Sequence, residues 1–232
     1  MLVPVGISFL ANFVAAFLAV LLQRAGVPLA RSGIVIGGLM AVQIALAARG
    51  ELADWQRVPP PIMPVILIGV ILAAIVASSR IGANAARVVP FAALVGYQSF
   101  RLPLELVMHH ASSIGLMPVQ MSYSGWNFDI LTGIFAIPVA ILAGRGRAPR
   151  GLIFAWNLLG TLLLANIVTI AVASMPTFAA FGPDRLNTWI AKPPYIWLPG
   201  VLVPAALFGH ILTWRKLATT SNGGPRTRRT AD

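Results

Sequence analysis

Residues 62–79 read IMPVILIGVILAAIVASS, eighteen positions without a charged side chain. Wound as a helix, such a stretch has no polar face, whereas a surface helix of a water-soluble domain needs one. Its surroundings must therefore be lipid or other helices on every side. The whole chain shares this preference. Of its 232 residues 58% are apolar and 10% charged, against about a quarter charged in an ordinary soluble domain, and the mean hydropathy is +0.83.

A helix needs about 20 apolar residues to cross a hydrocarbon core, within a range of about 17 to 25. Seven segments qualify: 3–22, 32–48, 62–79, 88–112, 128–144, 152–173 and 194–214. Alternating strands of about ten residues, the signature of a membrane β-barrel, are not seen. The expected fold is an all-α membrane protein, a bundle of seven transmembrane helices over residues 1–217. A basic cytoplasmic tail, 218–232, rich in Ser, Thr, Gly and Arg, is expected to be disordered. The first apolar run has no Lys or Arg before it and no small-residue cleavage pattern after it, so it is read as a retained helix rather than a signal peptide.

The formal charge of +11 comes from basic residues in short loops and at the C-terminus. This distribution orients a membrane protein rather than binding nucleic acid. With the C-terminus inside, one face carries twelve basic residues: Arg24, Arg31, Arg80, Arg87, Arg145, Arg147, Arg150, Arg215, Lys216, Arg226, Arg228 and Arg229. The opposite face carries four, Arg49, Arg57, Arg185 and Lys192. The expected topology has the N-terminus outside and the C-terminus inside. In the second span, Gly33 and Gly37 have the spacing that lets another helix approach. Trp126, Trp189, Trp197 and Trp214 fall near span ends, as an interfacial belt would place them.

Ionisable groups inside a membrane are costly and mark function by default. Here they gather in the fourth span. Gln98, Arg101, Glu105 and His109 are spaced by three, four and four, which keeps them on one helix face. Arg101 and Glu105 are expected to offset each other's desolvation, and Pro103 between them is expected to kink the helix by freeing the Ser99 carbonyl. At comparable depth in the outer half stand His110, Asn127, Asp129 and Asn166, which complete a candidate ligand or proton site opening outward. His210 lies about 24 Å below the outer start of its own span at about 1.5 Å per residue. It is therefore expected to stand apart from this cluster as a structural donor, a separation that also disfavours a bis-histidine haem.

Asn127 and Asp129 have an alternative role as cap and first-turn acid of the fifth helix. Asn157 and Asn166 have one as interhelical hydrogen-bond formers. The stripe as a whole can equally be an ion pair that locks packing, with His109 beside it.

The motifs Gln98-x-x-Arg101-x-x-x-Glu105-x-x-x-His109, Asn127-Phe128-Asp129-Ile130-x-x-Gly133, Trp156-Asn157-x-x-Gly160, and Trp197-Leu198-Pro199 through Val203-Pro204 to His210 resemble a family of bacterial multi-pass integral membrane proteins. The resemblance implies a bacterial cytoplasmic membrane location and no particular activity. Helix count and topology are also similar to rhodopsins, but the last span has no lysine for a retinal Schiff base.

Three functions are compatible with these residues. In a small-molecule or proton-linked transporter or sensor, Glu105 exchanges protons, Arg101 sets its pKa or holds an anionic ligand, and His109 relays outward. In a membrane metalloprotein or enzyme, Glu105, His109 and Asp129 ligate a divalent ion. The third is an accessory subunit without chemistry of its own. There is no cysteine, hydrolase nucleophile elbow, phosphate-binding loop or dinucleotide fingerprint. No cofactor is expected, and the expected partners are the bilayer and a small molecule or proton.

Overall fold

The structure, a computed structural model, describes residues 1–221. Among these residues every regular element is helical. Helices α1 (Leu2–Arg24), α2 (Leu29–Ala48) and α8 (Arg150–Ala173) are long and apolar enough to cross a membrane. Helix α3 (Ile62–Ser78) and the short α4 (Arg80–Val88) make a fourth such unit if the pair, bent by 66°, is counted as one. The bend has a local cause. The Ser79 hydroxyl leaves the α3 path to accept from the backbone N–H groups of Ile81 and Gly82, capping α4. Where the sequence suggested a loop at 80–87, the chain forms an amphipathic helix that carries Arg80 and Arg87 and buries Ala85 and Ala86.

The predicted segment 88–112 is one helical path built from three pieces: α5 (Phe91–Gly96), a 3₁₀ turn over Tyr97–Phe100, and α6 (Arg101–Ser113). The irregularity precedes Pro103 instead of centring on it. Pro103 sits in the first turn of α6, where a missing N–H leaves few intrahelical bonds unmade. The predicted segment 128–144 becomes α7 (Ile130–Gly144), only 15 residues long. The segment 194–214 begins as tight turns and a π-helical turn over Leu198–Leu202, then continues as α9 (Val203–Ser221). Helix thus extends into the start of the stretch expected to be disordered; the rest of that tail, 222–232, lies outside the described residues.

The core lies where α1, α6, α8 and α9 meet, with Ile7, Val14, Phe100, Leu104, Leu164, Ile170, Leu202 and Ala206 buried together. Large apolar residues are also exposed on the outside: Phe9 and Phe13 on α1, Ile34 and Val35 on α2, Ile68 and Ile75 on α3, Phe154 and Leu162 on α8. A patchwork of this extent on several helices is what a lipid-facing surface requires. Gly33 and Gly37 meet nothing within 4 Å of where a Cβ would stand, so among the described residues no helix packs closely on them. Of the four tryptophans, Trp126 is exposed, Trp197 and Trp214 are half-buried, and Trp189 is buried.

One end of the bundle brings several basic residues together. The Arg215 guanidinium donates to the Ala77 and Ser79 carbonyls at 2.5 and 2.9 Å, and Lys216 donates to the Ala86 carbonyl at 2.8 Å. Arg150 reaches the Leu217 carbonyl, and the Asn84 amide reaches Ala25 just past α1. Several of these contacts place a cation or donor on carbonyls at helix C-termini, the favourable end for positive charge.

Candidate functional site

Asp129 immediately precedes α7, and it stands level with Arg101, the first residue of α6. Since α6 continues twelve residues beyond Arg101 to Ser113, about 18 Å at 1.5 Å per residue, the connection 114–129 must fold back down along α6. Part of that return is irregular backbone over 122–129. Helix α7 is short because it starts deep inside the bundle. Its close approach to α6 depends on Gly133, where a Cβ would run into the Leu102 backbone.

This geometry changes the pairing expected within the stripe. The guanidinium of Arg101 forks onto the Asp129 carboxylate, with Nε donating to Oδ2 at 2.6 Å and Nη2 lying against Oδ1. Glu105 is not its partner. Arg101 Nη1 turns the other way and donates to His210 Nε2 at 2.9 Å, and it lies 3.5 Å from the Gly160 carbonyl. A guanidinium can only donate, so Nε2 accepts and the ring proton sits on Nδ1, which faces the Asn157 amide oxygen at 2.8 Å. The Asn157 amide also donates to the His210 carbonyl at 3.2 Å. His210 is therefore part of the cluster, not separate from it. The difference from the expected separation has a physical cause: α7 begins level with the first turn of α6 rather than near the outer surface, and the Arg101 side chain spans the remaining distance to α9.

Glu105 is buried at 1% exposure. It accepts one hydrogen bond, from Asn127 Nδ2 to Oε2 at 2.8 Å. Asn127 donates its second amide hydrogen to the Met121 carbonyl at 3.0 Å, and its own oxygen accepts from the Asp129 N–H at 3.1 Å. Thr132 Oγ1 donates to the Asp129 carboxylate at 3.2 Å. The result is one buried chain: Glu105, Asn127, Asp129, Arg101, His210, Asn157. It is contributed by α6, the inserted loop, α8 and α9. Among the described residues, Glu105 makes no ion pair.

The remaining predicted residues divide. Gln98 is buried on the same helical path, but its amide donates to the Ala206 carbonyl of α9 at 2.9 Å. His109 is half-buried, with Nδ1 3.2 Å from Ser122 Oγ and 3.0 Å from Ser124 Oγ and its ring stacked on Tyr123. His110 is exposed, and Asn166 donates to the Trp126 carbonyl at 2.8 Å. Neither belongs to the buried chain. The set Glu105, His109 and Asp129 is not gathered around a common point either: among the described residues, no three His, Cys, Asp or Glu are placed to hold one ion.

Beside the chain lies a cavity of about 80 Å³ bounded by α3, α6, α8 and the π-helical turn. Arg101, Glu105 and Asp129 reach it, and the rest of its wall is apolar, including Met108, Met121, Leu164, Ile167 and Leu198. Irregular backbone inside a membrane protein is tolerated where it is covered by protein or borders a cavity; Ser122, Asn127 and Asp129 are buried, and Asp129 borders the cavity. Two contributors, Asn157 and His210, were visible in the sequence as isolated polar residues in apolar helices. Nothing in their spacing linked them to Arg101. Against known proteins, the chain matches no family model, no curated sequence and no solved structure.

Proposed function

We propose that the chain is a seven-span protein of a bacterial cytoplasmic membrane, N-terminus outside and C-terminus inside, acting as a small-molecule or proton-linked transporter or sensor. The topology is supported by the gathering of Arg150, Arg215 and Lys216 with the ends of α1, α3 and α4 at one end of the bundle. Helical paths at 91–113 and 197–221, interrupted only by 3₁₀ and π-helical turns, supply further passes.

The observation that carries the function is Glu105. Its carboxyl borders the cavity with one neutral donor, Asn127, and, among the described residues, without an ion-pair partner, while Arg101 is committed to Asp129 and His210. Such a carboxyl is placed to gain and lose a proton, and the fixed Arg101–Asp129 pair holds the surrounding helices as it does so. Arg101 is in this reading a positioning residue and not the holder of an anion, since its nitrogens face protein acceptors.

The test is infrared difference spectroscopy of the full chain in lipid between acid and alkaline pH. The expected result is a protonated-carboxyl band that vanishes in Glu105→Gln. Liposomes with an internal pH dye should show proton movement in the wild type that the same substitution removes. Spectra and proton movement unchanged by Glu105→Gln overturn the proposal.

A further inference from the structure

The cavity has a definite charge preference. Its walls are almost wholly hydrocarbon and thioether, and three ionisable side chains reach it. Arg101 and Asp129 neutralise one another through a two-point contact. Among the described residues, Glu105 is left as a carboxyl that no cation matches. In a medium of low dielectric an unmatched carboxylate is strongly disfavoured. One unit of positive charge must therefore accompany it, as a proton or as a cationic ligand.

An anion is poorly matched here. Arg101 Nε and Nη2 face Asp129, and Nη1 faces His210 and the Gly160 carbonyl; one Nη2 hydrogen is left over, which cannot make the two-point contact that a guanidinium offers a carboxylate or phosphate and which stands beside the Glu105 carboxyl. Among the described residues, the charged groups around Glu105 are Arg101 from α6 and Asp129 from the start of α7; His109 on α6 faces Ser122 and Ser124, and His210 on α9 faces Arg101 and Asn157. Among the described residues, α3 and α8 present only apolar side chains to the cavity. Size narrows the class further. A cavity of about 80 Å³ is well below the roughly 300–1,000 Å³ of pockets for drug-sized molecules.

We propose that this cavity binds a short-chain primary alkylammonium ion, with its N–H groups on Glu105 and its alkyl chain among Met108, Met121, Leu164, Ile167 and Leu198. The inference rests on the reading of Glu105 as the proton-exchanging group. Binding replaces the carboxyl proton: R–NH₃⁺ enters, the Glu105 O–H bond breaks, and the proton leaves to solvent, so that net charge in the cavity is unchanged. Methionine suits such a wall because its flexible thioether adapts to chains of different shape.

The experiment is isothermal titration calorimetry of the full chain in lipid nanodiscs with n-butylammonium chloride, run in two buffers of different ionisation enthalpy. The expected result is saturable binding that releases about one proton per site and weakens by about tenfold per pH unit toward acid. Glu105→Gln should lose binding by at least about tenfold. Ile167→Phe, which fills the cavity and leaves Glu105 in place, should lose binding while keeping the Glu105 infrared band; it serves if the first variant fails to fold. Binding without proton release, or equal binding of n-butanol, overturns the ammonium proposal. No binding in a wild type that still shows the Glu105 band overturns this inference alone, and absence of both overturns the underlying reading as well.

Discussion

Arg101 Nη1 and His210 Nε2 meet at 2.9 Å inside the bundle, joining the first turn of α6 to the middle of α9. A histidine that accepts from arginine must carry its proton on the far nitrogen, and Asn157 is placed to receive it at 2.8 Å. The expected outcome is a single tautomer with hydrogen on Nδ1, read by ¹⁵N chemical shifts of selectively labelled histidine. Asn157→Leu removes the acceptor and should shift or broaden the His210 signals while leaving those of exposed His110 unchanged. A His210 spectrum showing hydrogen on Nε2 would remove the link between α6 and α9 from the site.

The Arg101–Asp129 pair makes a second prediction. Removing one member of a buried pair leaves the other charge uncompensated, at a cost of about 3–5 kcal/mol. Arg101→Met and Asp129→Leu should each lower the melting temperature of the detergent-solubilised protein sharply. The double replacement should be more stable than the sum of the two losses, because neither charge then remains. Additive losses would mean that the two side chains do not act as a pair.

Much of the helix framework was legible because it depends on solvent alone. Residues 62–79 exclude a polar face whatever surrounds them, and α1, α2, α3 and α8 lie within a few residues of the expected segments. The stripe was legible as a face, since Gln98, Arg101 and Glu105 are all buried. Its pairing was not. Arg101 and Glu105 are the nearest opposite charges along the helix, but pairing was decided by where α7 begins, and that depends on a loop that folds back into the bundle. No local pattern in 114–129 announces such a return. The position of His210 is hidden for the same reason, since counting residues along regular helices says nothing of a loop that re-enters the bundle or of an arginine that reaches across it.

Gly160 sets the space available to His210. A Cβ there would stand 2.5 Å from His210 Cε1 and 2.8 Å from Thr132 Cγ2, so alanine must push the imidazole off Arg101 or separate α8 from α9. Gly160→Ala is expected to cost about 1–3 kcal/mol in thermal unfolding. The loss should shrink in a His210→Ala background, where the ring is absent. An undiminished loss would assign the effect to the contact with Thr132 instead.

The proposed topology can be tested directly because the chain contains no cysteine, so a single introduced thiol is the sole labelling site. Asp54 and Asp184 are exposed on the α2–α3 and α8–α9 connections, and Arg80 and Arg147 are exposed at the opposite, basic end. Asp54→Cys and Asp184→Cys should react with a membrane-impermeant maleimide in right-side-out spheroplasts. Arg80→Cys and Arg147→Cys should react only after the membrane is opened. If basic residues set the orientation, each of the latter two substitutions removes one of twelve cations on its face and leaves a large excess over the four opposite, so the probes should not invert what they measure. Labelling of residue 147 in closed spheroplasts would reverse the orientation. Labelling of 54 and 184 from different sides would show that an odd number of passes separates them, and so would reject the seven-span path.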